Sequence, residues 1–175
     1  MIYNEREERE NHVLNIARQL MTTARTAPKA KGVDSIEAVT ITGEDIMSLA
    51  AAMRVEAEER GLGFFVRDAG NIEQAEAVVL IGVKDAVQSL NCGYCGYATC
   101  AEKMTNPMTP CTVTQADLGI AVGSAAATAS DLRVDTRILF SAGLVALNQG
   151  LLDGCRVAYA IPISVKAKNP FFDRK

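Results

Sequence analysis

Four of the chain's five cysteines fall within twenty residues, in the segment NCGYCGYATCAEKMTNPMTPC at 91–111. Cys92, Cys95, Cys100 and Cys111 follow the spacing Cys-x2-Cys-x4-Cys-x10-Cys. Cysteine thiolates are the standard ligands of a [4Fe–4S] cluster, one per iron. A two-residue gap lets two thiolates reach neighbouring irons, and the longer gaps let the chain wrap the cube and return. Gly93 and Gly96 directly follow cysteines. Glycine accepts positive φ, so the backbone can curl around the cluster and aim amide N–H groups at its sulfurs. Such amides stabilise the added negative charge and raise the reduction potential.

Other chemistry uses the same residue type. A structural zinc site takes four cysteines, usually as two Cys-x2-Cys knuckles, and here the second knuckle is replaced by Cys-x10-Cys. A redox dithiol at Cys92 and Cys95 would leave Cys100 and Cys111 without a role. Free cysteines are also commonly buried packing residues. That is the reading for Cys155, which adjoins an apolar strand, with replacement of Cys111 as a ligand the alternative. His12 is the single histidine, which excludes a multi-histidine metal site and leaves a residue on a charged helix start. Lys29, Lys31 and Gly32 could hold an anion such as a flavin phosphate, two charges beside a close backbone approach; a solvated loop is the competing reading.

These residues need a scaffold. Apolar positions Val13, Ile16, Ala17, Leu20, Met21 and Ala24 recur at helical spacing and predict a helix over 5–27. Residues 36–41, IEAVTI, read as a strand. A helix should begin near Thr42 and stop at Gly61, and 64–66 should form a second strand. The apolar run at 77–83, AVVLIGV, reads as a buried central strand. After the cysteine loop, with one helical turn after Thr99, come a small-residue helix over 115–131, a second apolar helix within 134–152 starting near Asp135, and a last strand at 157–163. Pro162 in that strand suits a sheet edge or strand end. The expected fold is α/β (α+β), a mixed central sheet flanked by helices, in one domain over 1–175 with a cysteine-rich cluster loop inserted at 91–111.

The totals narrow the function. With 175 residues and 49% hydrophobic content, the chain can bury a core without disulfides. A net charge of −3 and nine Phe and Tyr in all argue against nucleic-acid binding. The charged start MIYNEREERENH has no apolar signal region, and the stretch 118–130 is too short and polar to span a bilayer. A cytoplasmic protein, not bound to membrane or nucleic acid, is expected. The exposed cost of Phe171 and Phe172 in the tail implies that it docks on its own chain or a partner. Lys166, Lys168 and Arg174 could approach a phosphate, against the plainer reading of a solvated basic tail. The small-residue run 121–129 and the following apolar helix suggest close packing between subunits, hence a homodimer.

The segment CGYCGYATCAEK followed by a further cysteine resembles the short four-iron domain of the corrinoid iron–sulfur protein and of the B subunit of the Rnf-type electron-transport complex. That resemblance implies one [4Fe–4S] cluster on Cys92, Cys95, Cys100 and Cys111. Over nearly its full length, through ARTAPKAKGVD, NCGYCGYATC, DLGIAVGSAAATASDLRVDTRI and KNPFFDR, the chain resembles the uncharacterised ferredoxin-domain-containing proteins of anaerobic bacteria and archaea. The order of elements around Ala27-Pro28 and DLGIA is also similar to FMN-dependent nitroreductases, which implies a nitroreductase-like scaffold, a dimer and FMN. Arg6 and Arg9 stand where that superfamily has a phosphate-gripping Arg-rich signature, but the Ser-Arg-Arg-Ser pattern is absent. The expected function is electron transfer to an unidentified redox partner protein through one cluster. An FMN-dependent oxidoreductase fed by the cluster is the alternative, and a zinc-stapled interaction module the second alternative.

Overall fold

A computed structural model describes residues 1–172. The first helix, α1 (Glu5–Thr26), starts where Asn4 accepts the N–H of Arg6 at 3.0 Å, a side-chain cap that satisfies one orphan donor of the first turn. Its buried stripe is Val13, Ile16, Ala17, Leu20 and Ala24. A single 3-10 turn, Ala30–Gly32, leads to β1 (Ile36–Ile41). The helix α2 (Gly43–Arg60) ends at Gly61, whose φ of 66° is the left-handed cap that glycine permits.

Residues 64–66 are not a strand. Phe64 opens a helix, α3 (Phe64–Ile72). Two aromatics and a valine favour extended chain locally, but Phe65, Ala69 and Ile72 recur at helical spacing and are fully buried, so tertiary packing of one face decides. Next come β2 (Ala77–Lys84), a short helix α4 (Cys100–Met104) and a long one, α5 (Thr112–Asp131). The apolar segment after 134 is not one helix. It begins with a two-residue strand, β3 (Asp135–Thr136), and only then forms α6 (Phe140–Asn148). The last strand is β4 (Cys155–Ser164).

The sheet order is β1-β2-β4-β3, and the pairs among the described residues are antiparallel rather than mixed. The continuous apolar run of β2 comes from burial on both faces. Val79, Ile81 and Val83 face α1 and α5, together with Ile161 and Ile163 of β4. Val78 and Leu80, with Ala158 and Ala160, face α2, α3 and α6. Helices on both sides therefore give an antiparallel strand the composition more often seen in parallel sheets. The helix α6 lies so close to β4 that a Cβ on Gly143 would fall 2.2 Å from the carbonyl oxygen of Ala158.

Pro162 lies near the end of β4, as expected, on a strand inside the sheet and not at its edge. The register Thr136–Ile163 and the bridge Leu139–Ala160 place Arg137 opposite it. There β3 has already ended, so the missing N–H falls where the ladder is interrupted. The tail docks on its own chain. Phe171 is buried, its carbonyl accepts from Arg137 at 2.7 Å, and the Arg137 guanidinium lies 5.0 Å from the Phe172 ring centre. Arg174 lies outside the described residues.

Candidate metal centre

The loop between β2 and α5 carries all four clustered cysteines. Ser89, Asn91, Gly93 and Gly96 have φ of 55°, 48°, 73° and 88°. Four left-handed residues within eight positions curl the chain tightly, and for Ser89 and Asn91 that conformation costs about 1 kcal/mol or more each. Side chains hold the curl. Asn91 donates its N–H to the Cys100 sulfur at 3.3 Å, and its Oδ1 accepts the Cys100 N–H at 2.8 Å. Thr99 caps α4 by accepting the Glu102 N–H at 3.1 Å, while the Glu102 carboxylate accepts the N–H of Ala98 at 3.1 Å. This reciprocal capping fixes the turn that presents Cys100. Asn106 donates to the Tyr97 hydroxyl at 2.9 Å, and Arg156 donates to the Met108 carbonyl at 2.9 Å, tying the far side of the loop to β4.

Cys92, Cys95, Cys100 and Cys111 line one cavity, with Gly93, Gln88 and Lys103 on its wall. Cys92 is exposed, Cys95 and Cys100 are half-buried and Cys111 is buried. Among the described residues no three His, Cys, Asp or Glu side chains are grouped so as to hold a single metal ion. Cys155 is not part of this cavity. It packs under Gly82, where an added Cβ would meet its sulfur at 2.9 Å. Burial, then the Glu37 carboxylate, pushes its thiol up to about 11, which favours a protonated packing residue over a ligand.

Cys111 is the N-cap of the 20-residue helix α5. Burial pushes its thiol up, but the backbone N–H groups of Gln88, Thr114 and Val113 pull it down further, and the net effect is a pKa below the ordinary value. The helix N-terminus favours the thiolate in the same sense. Thr114 steadies this corner by donating its hydroxyl to the Ala86 carbonyl at 2.7 Å.

The Lys29, Lys31 and Gly32 segment sits beside this loop. The Lys29 ammonium caps the end of α1 on the carbonyls of Ala24, Arg25 and Ala27, at 3.0, 2.6 and 2.8 Å. It is therefore engaged with backbone. Burial, the leading cause, holds its pKa below the ordinary value. Lys31, with Gly32 in the left-handed region next to it, donates to the Gln88 carbonyl at 3.3 Å. Asp117 of α5 accepts the Ala30 N–H at 2.9 Å. His12 is exposed, and Arg9 pairs with Glu5 at 2.7 Å. Gln88, Lys103, Thr114 and Asp117 were not singled out by sequence. Lys103 is three residues from Cys100 on the turn that presents it, the one sequence signal for its place.

The family of uncharacterised proteins containing a ferredoxin domain matches residues 108–174. An uncharacterised protein of Archaeoglobus fulgidus is 38% identical over 182 residues, covering 99% of this chain and 98% of the relative. The fold is similar to that of a BluB-like flavoprotein from Clostridium difficile 630, with 16% identity, 92% of this chain and 84% of the other covered, and a TM-score of 0.56. It is also similar to a putative NADH dehydrogenase/NAD(P)H nitroreductase from Bacteroides thetaiotaomicron, with 14% identity, 88% and 74% covered and a TM-score of 0.57. The NADPH:FMN oxidoreductase of Vibrio harveyi gives 11% identity, 92% and 63% covered and a TM-score of 0.57. At these identities the likeness establishes a nitroreductase-like fold and nothing finer.

Proposed function

We propose that the chain, which belongs to the family of uncharacterised proteins containing a ferredoxin domain, is an electron-transfer protein that binds one [4Fe–4S] cluster on Cys92, Cys95, Cys100 and Cys111. The observation that carries this reading is that Cys92, Cys95, Cys100 and Cys111 line a single cavity, while the fifth cysteine lies elsewhere. The donor set suits the group: soft thiolates throughout, with Cys111 already favoured as thiolate by three backbone N–H groups. When bound, a single cluster supplies one-electron transfer. The chain's own part is to curl residues 89–96 around it, to clasp Cys100 through Asn91, and to leave the Cys92 side open. The redox partner protein is met on that open side.

Anaerobic purification followed by iron, acid-labile sulfide, zinc and flavin quantitation tests the reading. About four irons and four sulfides per chain are expected. Stoichiometric zinc without sulfide would overturn it in favour of a structural zinc site.

A second reading is an FMN-dependent oxidoreductase in which the cluster feeds a flavin. It is supported by the similarity in fold to flavoproteins such as the NADPH:FMN oxidoreductase of Vibrio harveyi. Flavin released on denaturation in a one-to-one ratio would support it. For such a scaffold we also propose a homodimer. The outward side of α5 offers Gly119, Ile120, Gly123 and Ala127 to solvent, a small and apolar strip. Light scattering should give about twice the 18.7 kDa of one chain, and a mass that stays at one chain at micromolar concentration would refute it. Among the described residues no helix is long and apolar enough to cross a membrane, and the cytoplasm is the proposed compartment.

A further inference from the structure

Two buried polar side chains lie on the cavity wall. Gln88 is only 3% exposed. Its backbone carbonyl accepts from the Lys31 ammonium at 3.3 Å. Its side-chain Nε2, however, is buried with no hydrogen-bond partner. A buried amide donor left unpaired costs about 1–3 kcal/mol, so the position is explained only if an acceptor comes to it. Lys103 is also 3% exposed. Its ammonium forms an ion pair with the Asp85 carboxylate at 3.7 Å, longer than a hydrogen bond. A lysine this buried is ordinarily retained only where it is paired. Both residues line the same cavity as the four cysteines.

We infer that Gln88 and Lys103 are the positioning and tuning residues of the cluster: the Gln88 amide donates to a cluster or thiolate sulfur, and the Lys103 ammonium offsets its negative charge. The inference rests on the cluster reading above. Four thiolates and a cluster make a net anion that gains one further negative charge when one electron enters. A fixed cation and an N–H donor beside it favour the reduced form, and so raise the reduction potential. Asp85 opposes Lys103 and should act in the opposite sense. No bond forms or breaks in the step; the electron comes from an external low-potential donor, dithionite in the test.

The experiment is a dithionite titration of the loaded protein followed by electron paramagnetic resonance, with iron and sulfide counted in each variant. Lys103→Met should keep its irons and shift the reduction equilibrium about tenfold toward the oxidised form, which is about 59 mV for one electron. Gln88→Leu should shift it several-fold in the same direction. Lys103→Arg should stay within about twofold of wild type, and Asp85→Asn should move several-fold the other way. If Lys103→Met does not take up iron, Lys103→Gln, which keeps donors without charge, carries the test. Loaded Lys103→Met or Lys103→Gln together with loaded Gln88→Leu at the wild-type potential would overturn the inference while leaving the cluster reading intact. A wild-type protein without iron and sulfide would remove both, and the iron count tells the two failures apart.

Discussion

In β2, seven consecutive residues from Ala77 to Val83 are buried, and their backbone is paired with β1 on one side and β4 on the other. Between that strand and α5, the chain makes its bonds differently. Asn91, Thr99, Glu102 and Asn106 side chains substitute for a ladder, and two non-glycine residues accept left-handed backbone. The sheet region is stabilised by apolar area on both faces and requires no ligand. The loop has little buried apolar area of its own, so its order depends on capping bonds and on whatever its cavity holds. Two of the cysteines repeat the contrast: burial favours the thiol form of Cys155 in the sheet, while Cys111 at the loop's end is favoured as a thiolate.

The largest effect should come from the loop's four cysteines. Serine at Cys92, Cys95, Cys100 or Cys111 is expected to reduce bound iron from about four per chain to background, while Cys155→Ser retains it. Circular dichroism of the iron-free variants should still report the folded sheet and helices. Equal iron in all five variants would dissolve the distinction between the two regions.

The next effect belongs to the sheet. Gly143→Ala places a methyl group against the Ala158 backbone and is expected to cost about 3 kcal/mol through overpacking, measured as a lower urea midpoint. A midpoint unchanged from wild type would show that α6 can lift off β4 without cost.

A smaller effect follows from pH. The folded state raises the Cys155 pKa from 9.0 to about 11. Folding therefore favours the protonated thiol; the contribution is complete below pH 9 and is lost as pH rises toward 11. Iron-free Cys155→Ala should lose less thermal stability between pH 8 and pH 11 than iron-free wild type. Cys111 has the opposite sign, since its folded pKa is depressed. The smallest effect is Thr99→Ala, which removes the α4 cap for about 1 kcal/mol. Hydrogen exchange should speed at 98–103 and remain unchanged in β2.

The parts legible in sequence are those where a local signal and the tertiary environment agree. The strand Ile36–Ile41 and the end of α2 at Gly61 emerge as expected because β-branched residues and a left-handed glycine cap act locally. The segment at 64–66 failed because a β-prone trio sits at the start of an amphipathic helix whose burial outweighs propensity. The break at Val134–Leu139 failed because the short β3 depends on pairing with Ser164 and Ile163, which lie far along the chain. At the candidate site, cysteine spacing identified the residues that line one cavity. It could not identify Gln88 or Lys103, since an unpaired amide or a buried ammonium in a wall is a property of the folded surroundings, not of the residue type. Nor could it foresee that the Lys29 ammonium is engaged with three carbonyls at the end of α1, those of Ala24, Arg25 and Ala27.

The proline opposite Arg137 also bears on how the sheet meets other chains. A long, flat outer strand offers unpaired N–H and C=O groups as a template for aggregation. On the β4 side the outer partner is only two residues long, the next position has no N–H to offer, and Arg137 is drawn toward the tail at Phe171 and Phe172. That margin gives an incoming strand almost nothing to continue. The opposite margin, β1, is six residues long. Just at its start, the Arg25 guanidinium takes the Ile36 carbonyl and pairs with Asp34 at 2.6 Å, and Glu37 on it is bound by Lys84 at 2.6 Å. Charge therefore guards one side of the sheet and interruption the other, so strand-to-strand stacking is discouraged at both borders by unrelated means.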